Sequence, residues 1–253
     1  MHFCDTHIHL YTPDSEEAAD ARVVASDVAG IRYLIQPGVR VADWSGMLTL
    51  SDRHSQVYAA PGLHPMYADQ WNEDAAVRLR ELVRHPKVVA IGEIGLDAAA
   101  ESSIKVQEKV LRAQLQIALD EKIPVMLHCR HKNGFLLDIL HELQVGSRIG
   151  GVWHGFSASL PFARQVVAQG FCVGIGPILL RDNVRKLLAT VADLPASALV
   201  LETDLPDMAR MPTDLLKVAR KVAALRGISL QQTAQLTTAN ARRLFHKLQD
   251  NNR

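Results

Sequence analysis

Lys87-Val88-Val89-Ala90-Ile91-Gly92-Glu93 is the stretch that decides the fold. Its apolar run is continuous rather than alternating, so it reads as a strand covered by helices on one face and by packed side chains on the other. Ala198-Leu199-Val200-Leu201 has the same character and runs into Glu202-Thr203-Asp204. Working outward, strand-like runs fall at residues 3–10, 33–38, 57–62, 88–91, 124–129, 151–154, 171–174 and 199–201. Between them, apolar residues recur at helical spacing, most clearly Val106, Val110, Leu111, Leu115, Ala118 and Leu119. Further helices are predicted over 15–29, 42–53, 73–84, 135–143, 161–169, 182–192 and 213–226. This alternation predicts an α/β fold, a closed (β/α)8 barrel of the TIM type. A last amphipathic helix over 230–248, with Ser229 as its N-cap, is expected to close the barrel.

The 253 residues suit one barrel domain over 1–253, since such barrels take about 250 residues. No linker, low-complexity tract or fixed-period repeat argues for a second unit. Hydrophobic residues make up 48% and charged residues 22%, enough apolar material for a large interior and too little charge for disorder. Cys4, Cys129 and Cys172 are odd in number and scattered, which argues against a disulfide framework and for the cytoplasm. No signal peptide is expected, because the candidate site already begins at Asp5. Nor does any apolar stretch approach the roughly 20 residues that span a bilayer. A net charge of +1 gives no strong long-range pull on a nucleic-acid backbone. It does not exclude a small or locally gripped phosphate-bearing substrate.

The chemistry sits at the downstream ends of the strands, where a parallel barrel gathers its catalytic groups. His7 and His9 flank Ile8, and in an extended chain alternate side chains share a face, so both imidazoles can reach one ion. Glu93, His128, His154 and Asp204 arrive singly, each closing its own run. Imidazole and carboxylate together suit zinc, manganese or magnesium, and the set exceeds what one tetrahedral ion needs. Two divalent ions are therefore expected, with Glu93 able to bridge them and Asp204 placed to accept a proton from an activated water. A lone histidine is usually a structural residue, and His2, His54, His85, His131, His141 and His246 are expected at the surface. Strand parity predicts that Cys4 and Cys129 face the helices as packing residues and not the barrel.

The motifs Asp5-Thr6-His7-Ile8-His9, Gly62-Leu63-His64-Pro65, Gly92-Glu93-Ile94-Gly95-Leu96-Asp97, Leu127-His128-Cys129-Arg130, His154-Gly155-Phe156-Ser157 and Glu202-Thr203-Asp204 resemble, in order, those of the TatD family of metal-dependent hydrolases. Thr237-Thr238-Ala239-Asn240 with Leu244-Phe245 resembles that family's closing helix, so the likeness spans nearly the whole chain. The resemblance implies a distorted (β/α)8 barrel acting as a deoxyribonuclease-like phosphodiesterase on DNA. It further implies His7, His9 and Asp204 on one ion, His128 and His154 on the other, and Glu93 between them. By the same likeness His64 and Arg130 hold the substrate phosphate, and Asp5 either joins the site or orients one of its histidines. An amidohydrolase-type enzyme for a small ester, amide or lactone is the alternative. The chain departs from the family at Ala98 after Asp97, His131-Lys132 after Arg130 and Pro177 after Gly176. It also has a short segment between Met208 and Thr213. These changes fall on the pocket wall rather than on the ligand set.

Overall fold

The computed structural model describes residues 1–11 and 16–248. Eight strands are parallel neighbours: β1 (Phe3–Asp5), β2 (Ile31–Pro37), β3 (Val57–Ala60), β4 (Ile91–Asp97), β5 (Val125–Arg130), β6 (Gly151–Trp153), β7 (Phe171–Ile175) and β8 (Leu199–Leu201). The sheet runs β1-β2-β3 and β4-β5-β6-β7-β8. A parallel bridge from Ala59 to Val88 joins β3 to β4. Thr6 N–H donating to Leu201 O (2.9 Å) and Asp204 N–H to His7 O (2.8 Å) join β8 back to β1. The ring is closed, as the continuous apolar runs predict.

The outside carries α1 (Glu16–Val28), α2 (Trp44–Arg53), α3 (Glu73–Leu82), α4 (Ile104–Asp120), α5 (Asn133–Glu142), α6 (Val145–Arg148), α7 (Leu160–Ala168), α8 (Arg185–Asp193), α9 (Asp214–Arg226) and α10 (Leu230–Leu244). Every long helix expected from the sequence is present, with ends shifted by a few residues. Ser15, the expected start of the first helix, lies outside the described residues. The one-turn α6 has too few residues to show a periodicity. Two apolar layers result. The inner one takes Cys4, Tyr33, Ile35, Tyr58, Ala60, Val89, Ala90, Met126, Val152, Cys172 and Val200, so every strand or its lead-in contributes. Ala241, Phe245 and Leu248 join it from α10 and beyond, which makes this helix the plug at the end opposite the catalytic mouth. Ser229 starts α10 with a reciprocal cap, its side chain accepting from Gln232 N while Gln232 Oε1 accepts from Ser229 N.

Three expectations are corrected. The fourth strand begins at Ile91 rather than Val88 and continues through Glu93 to Asp97, because residues 87–89 pair with Ala59 while the later ones pair with β5. His7 and His9 lie beyond β1, which ends at Asp5. The extended course persists there because Ile8 N–H donates to Ile35 O (3.1 Å) and His9 N–H to Leu205 O (2.8 Å). Cys4 faces the barrel interior. The strand stops at Asp5, so the alternation of a continuous strand cannot be carried from His7 back to Cys4. Cys129 does pack against the outer core, but its partly exposed side also lines the catalytic cavity.

Two buried glutamines on α4 fix the chain that follows β3 and β4. Gln114 accepts from Leu63 N (2.7 Å) and donates to Leu63 O (3.1 Å), so it holds the loop that carries His64. Gln107 accepts from Asp97 N (2.8 Å) and donates to Asp97 O (3.0 Å) and Ser102 O (2.8 Å). A hydrocarbon at position 114 would leave a buried amide and carbonyl without partners, at about 1–3 kcal/mol each. Gln114→Leu is expected to lower unfolding stability by roughly that amount, whereas Gln116→Leu on the exposed side of the helix should change it by less than about 0.5 kcal/mol. Urea unfolding of the two variants beside the parent protein gives both numbers.

Candidate metal centre

The centre is built around one carboxylate. Glu93 is buried, and its two oxygens face different histidines. Oε2 lies 3.3 Å from His7 Nε2 and 3.9 Å from His9 Nε2. Oε1 lies 2.7 Å from His128 Nδ1, 2.9 Å from His154 Nε2 and 3.7 Å from His64 Nε2. Asp204 comes in from the β8 side, its Oδ1 3.7 Å from His7 Nε2 and 3.6 Å from His9 Nε2. It sits at φ +49°, a left-handed backbone rare outside glycine. The hydrogen bonds of its N–H to His7 O and of Met208 N–H to its carbonyl, both 2.8 Å, hold it there. Arg130 is exposed at the rim of the same cavity, which measures about 620 Å³ and is also lined by His9, His64, Glu93, His128, His154 and Asp204. All the site residues expected from the sequence thus meet in one place.

Charge explains the titration behaviour of the cluster. Burial pushes Glu93 up, but His154, His7, His64 and the bond from His128 outweigh it and hold the carboxyl well below its ordinary range. Burial also opposes ionisation of Asp204, yet His9, His154 and His7 bring it down to about 2. His154 is raised well above an ordinary histidine, against the effect of burial, by Glu93 and Glu202. His7, fully buried and stacked on His154 with ring centroids 3.9 Å apart, is lowered by desolvation and by that neighbour. His64 is lowered to about 4, chiefly by burial, so its ring is neutral near pH 7. Its Nδ1 accepts from Met66 N–H (3.1 Å), which leaves the proton on Nε2 and makes that edge a donor aimed into the cavity.

The residues present fit divalent cations. His7 Nδ1 and Nε2, His154 Nδ1 and Glu202 Oε2 are buried without any hydrogen-bond partner, a state that costs stability unless something else satisfies them. Donor atoms of His7, His9 and Asp204 lie within 4.8 Å of one another, as do those of His64, Glu93 and His128, and those of His7, His154 and Glu202. Nitrogen and oxygen donors of this kind suit zinc, manganese or magnesium. The first of these groups matches an expected set. His128 and His154 do not share a group, although both lie against Glu93 Oε1, with ring centroids 5.7 Å apart.

Three supporting carboxylates complete the arrangement. Asp5 accepts from His7 N (3.2 Å), Thr203 N (3.0 Å) and Thr203 Oγ1 (2.6 Å), so it ties β1 to β8 behind the site instead of entering it. Burial raises its carboxyl to about 7, against those hydrogen bonds. Glu202 and Asp97 escaped the sequence reading as functional groups. Glu202 Oε1 accepts from Gly155 N (2.6 Å) and lies 3.7 Å from His154 Nδ1, the edge opposite Glu93. Its signal was available, since Val200, Glu202 and Asp204 alternate, and Gly174 on the next strand leaves the space that a Cβ would take from its carboxylate. Asp97 Oδ2 lies 3.2 Å from His128 Nε2, so that ring is bracketed by Asp97 and Glu93. Among the remaining histidines, His2, His131, His141 and His246 are exposed, as expected, whereas His54 and His85 are half-buried.

Comparison with known proteins agrees with this geometry. The Escherichia coli K12 protein described as uncharacterized metal-dependent hydrolase YjjV is 31% identical over 96% of this chain and 98% of its own length. A crystal structure of YjjV, described as a TatD homolog, superimposes with a TM-score of 0.90 over 96% of this chain and 98% of that one. The 3'-5' ssDNA/RNA exonuclease TatD of Salmonella typhimurium is 30% identical over 95% of this chain and 98% of its own length. A mutant organophosphorus hydrolase from Deinococcus radiodurans shares the fold alone, at a TM-score of 0.62 and 14% identity over 96% of this chain and 92% of that one. The TatD related DNase profile matches residues 4–246, and with this chemistry at the mouth of a closed barrel, the chain belongs to that family.

Proposed function

We propose that this barrel is a divalent-metal-dependent hydrolase that cleaves phosphodiesters at the end of single-stranded nucleic acid, with residues 1–253 forming one catalytic unit. The observation that carries the reading is the split carboxylate of Glu93, one oxygen toward His7 and His9 and the other toward His128 and His154. That arrangement supports two ions, one with His7, His9 and Asp204 and one with His128 and His154. The 3'-5' ssDNA/RNA exonuclease relatives support the substrate class. Ions bound there supply charge that polarises a phosphoryl oxygen and acidifies a water.

The chain's own groups have the following parts. His64 donates from Nε2 to a phosphate oxygen, because Met66 N–H occupies its other nitrogen. Arg130 reaches the same phosphate from the rim with a planar guanidinium, the geometry suited to paired oxygens. Asp204 Oδ1 faces the cavity beside His9 and takes the proton of the attacking water. Glu202 and Asp97 hold His154 and His128 from behind, fixing which ring nitrogen faces Glu93. Water is limited by the barrel's apolar plug below and by Met66, Tyr67, Ile178 and Met208 at the mouth.

Loaded with Mg²⁺, Mn²⁺ or Zn²⁺, the protein is expected to release mononucleotides from the 3' end of single-stranded DNA or RNA and to stop when a chelator is added. Turnover of a small ester or lactone panel with nucleic acid left intact would overturn the substrate assignment. Asp204→Asn should retain most of its metal yet lose about 10²–10⁴-fold in kcat, since an amide cannot take the proton. An unchanged rate would remove Asp204 from proton transfer. Glu202→Gln should weaken metal binding by about 10–100-fold in a calorimetric titration while the urea midpoint stays near that of the parent. Unchanged affinity would make Glu202 a packing residue.

A further inference from the structure

A second cavity of about 340 Å³ adjoins the metal cavity and shares His9, Val39, Tyr67 and Asp207 with it. Tyr11, Arg40, Asp43 and Pro206 complete its wall and do not line the metal cavity. The two form one groove across the mouth of the barrel, with Tyr67 at the divide. The wall is built rather than incidental. Tyr11 packs its ring over Gly46 of α2, where a Cβ would overlap the phenol. Its backbone N–H donates to the buried Gln36 side chain, so the residue is held at both ends. Tyr11 and Tyr67 are both partly buried against the outer core and partly open to the groove.

The charges of this second cavity do not select for an anion. Arg40 is clamped by Asp43 through two bonds, Nε to Oδ2 at 2.9 Å and Nη2 to Oδ1 at 3.0 Å, so its charge is offset in place. Asp207 and His9 are common to both cavities, so the groups peculiar to this one add no net positive charge. A flat, uncharged ring is favoured here over a phosphate, because Tyr11 and Tyr67 line the wall and every nucleobase offers a π-face to an aromatic side chain. We infer that the Tyr11–Tyr67 cavity is a nucleobase subsite, which receives the base of a nucleotide whose phosphodiester lies in the metal cavity. The inference rests on the phosphodiesterase reading for its substrate and names where the first recognised base goes.

The test compares kcat/KM of the Mn²⁺-loaded protein on dinucleotides that carry either a base or an abasic sugar at each position, with the fully abasic dinucleotide as the baseless phosphodiester. The parent protein is expected to lose about ten-fold when one particular base is absent, the scale of one base–aromatic stack. Tyr11→Leu, and Gly46→Ala, which dislodges the ring without removing any group of the wall, should abolish that discrimination. Both variants should treat base and abasic sugar alike. A parent protein indifferent to both bases, or variants that keep the preference, overturns the subsite. If no phosphodiester is cleaved at all, the functional reading fails, and the subsite is decided by binding of adenosine and cytidine in ligand-observed NMR. Binding weakened about ten-fold by both substitutions upholds it, and equal binding by parent and variants overturns it.

Discussion

Everything at this catalytic mouth is arranged around a carboxylate that has been taken out of water. A buried acid cannot stay ionised without partners, and Glu93 finds them in imidazoles drawn from the ends of β1, β3, β5 and β6. The constraint works in both directions. His7 and His154 carry buried ring nitrogens without a hydrogen-bond partner, which fits a cluster built to share a cation. A barrel that merely packed would place apolar residues there, as its lower half does. The same scaffold therefore divides into a dry interior sealed by α10 and an upper layer whose polar groups are left waiting for cations.

Holding such a layer in place requires ties that do not themselves react. Asp5 joins the chain after β1 to the chain after β8 through three hydrogen bonds, and so sets His7 and His9 against Asp204. Gln114 and Gln107 do the same for the loops after β3 and β4, from a helix that otherwise packs as hydrocarbon. In each case a buried polar side chain satisfies backbone groups that would otherwise be orphaned, and the orientation of a catalytic group follows from it.

Much of this was legible in the sequence because strand ends, apolar periodicity and the His-x-His spacing are local properties. Continuous runs such as residues 87–91 and 198–201 predicted a sheet covered on both faces, and the closed ring agrees. What escaped depended on tertiary bonding. His7 and His9 share a face although β1 has already ended, because Ile35 and Leu205 continue the ladder on either side. Cys4 faces inward because β1 ends at Asp5, between Cys4 and His7, so the alternation does not carry across. Glu202 stood in plain view within a quoted motif, but only the proximity of its carboxylate to the far nitrogen of His154 gives it a part. Tyr11 carried no motif at all, and its place depends on a glycine in α2 that is distant in sequence.

The nearly neutral chain and the polar centre bear on each other. With a net charge of +1, and with Arg40 offset by Asp43, long-range attraction for a polyanion is weak, so recognition has to be local. The proposed groove, aromatic on one side and metal-binding on the other, would achieve that by separating the two halves of a nucleotide. Under the proposal, the phosphate goes to the side of the mouth that holds the imidazole cluster and Arg130, and the base to the side lined by Tyr11 and Tyr67. The cavity of about 340 Å³ beside the metal cavity is of a size to take a single base under that proposal. Affinity built this way depends little on how many phosphates lie beyond the first, and correspondingly little on salt.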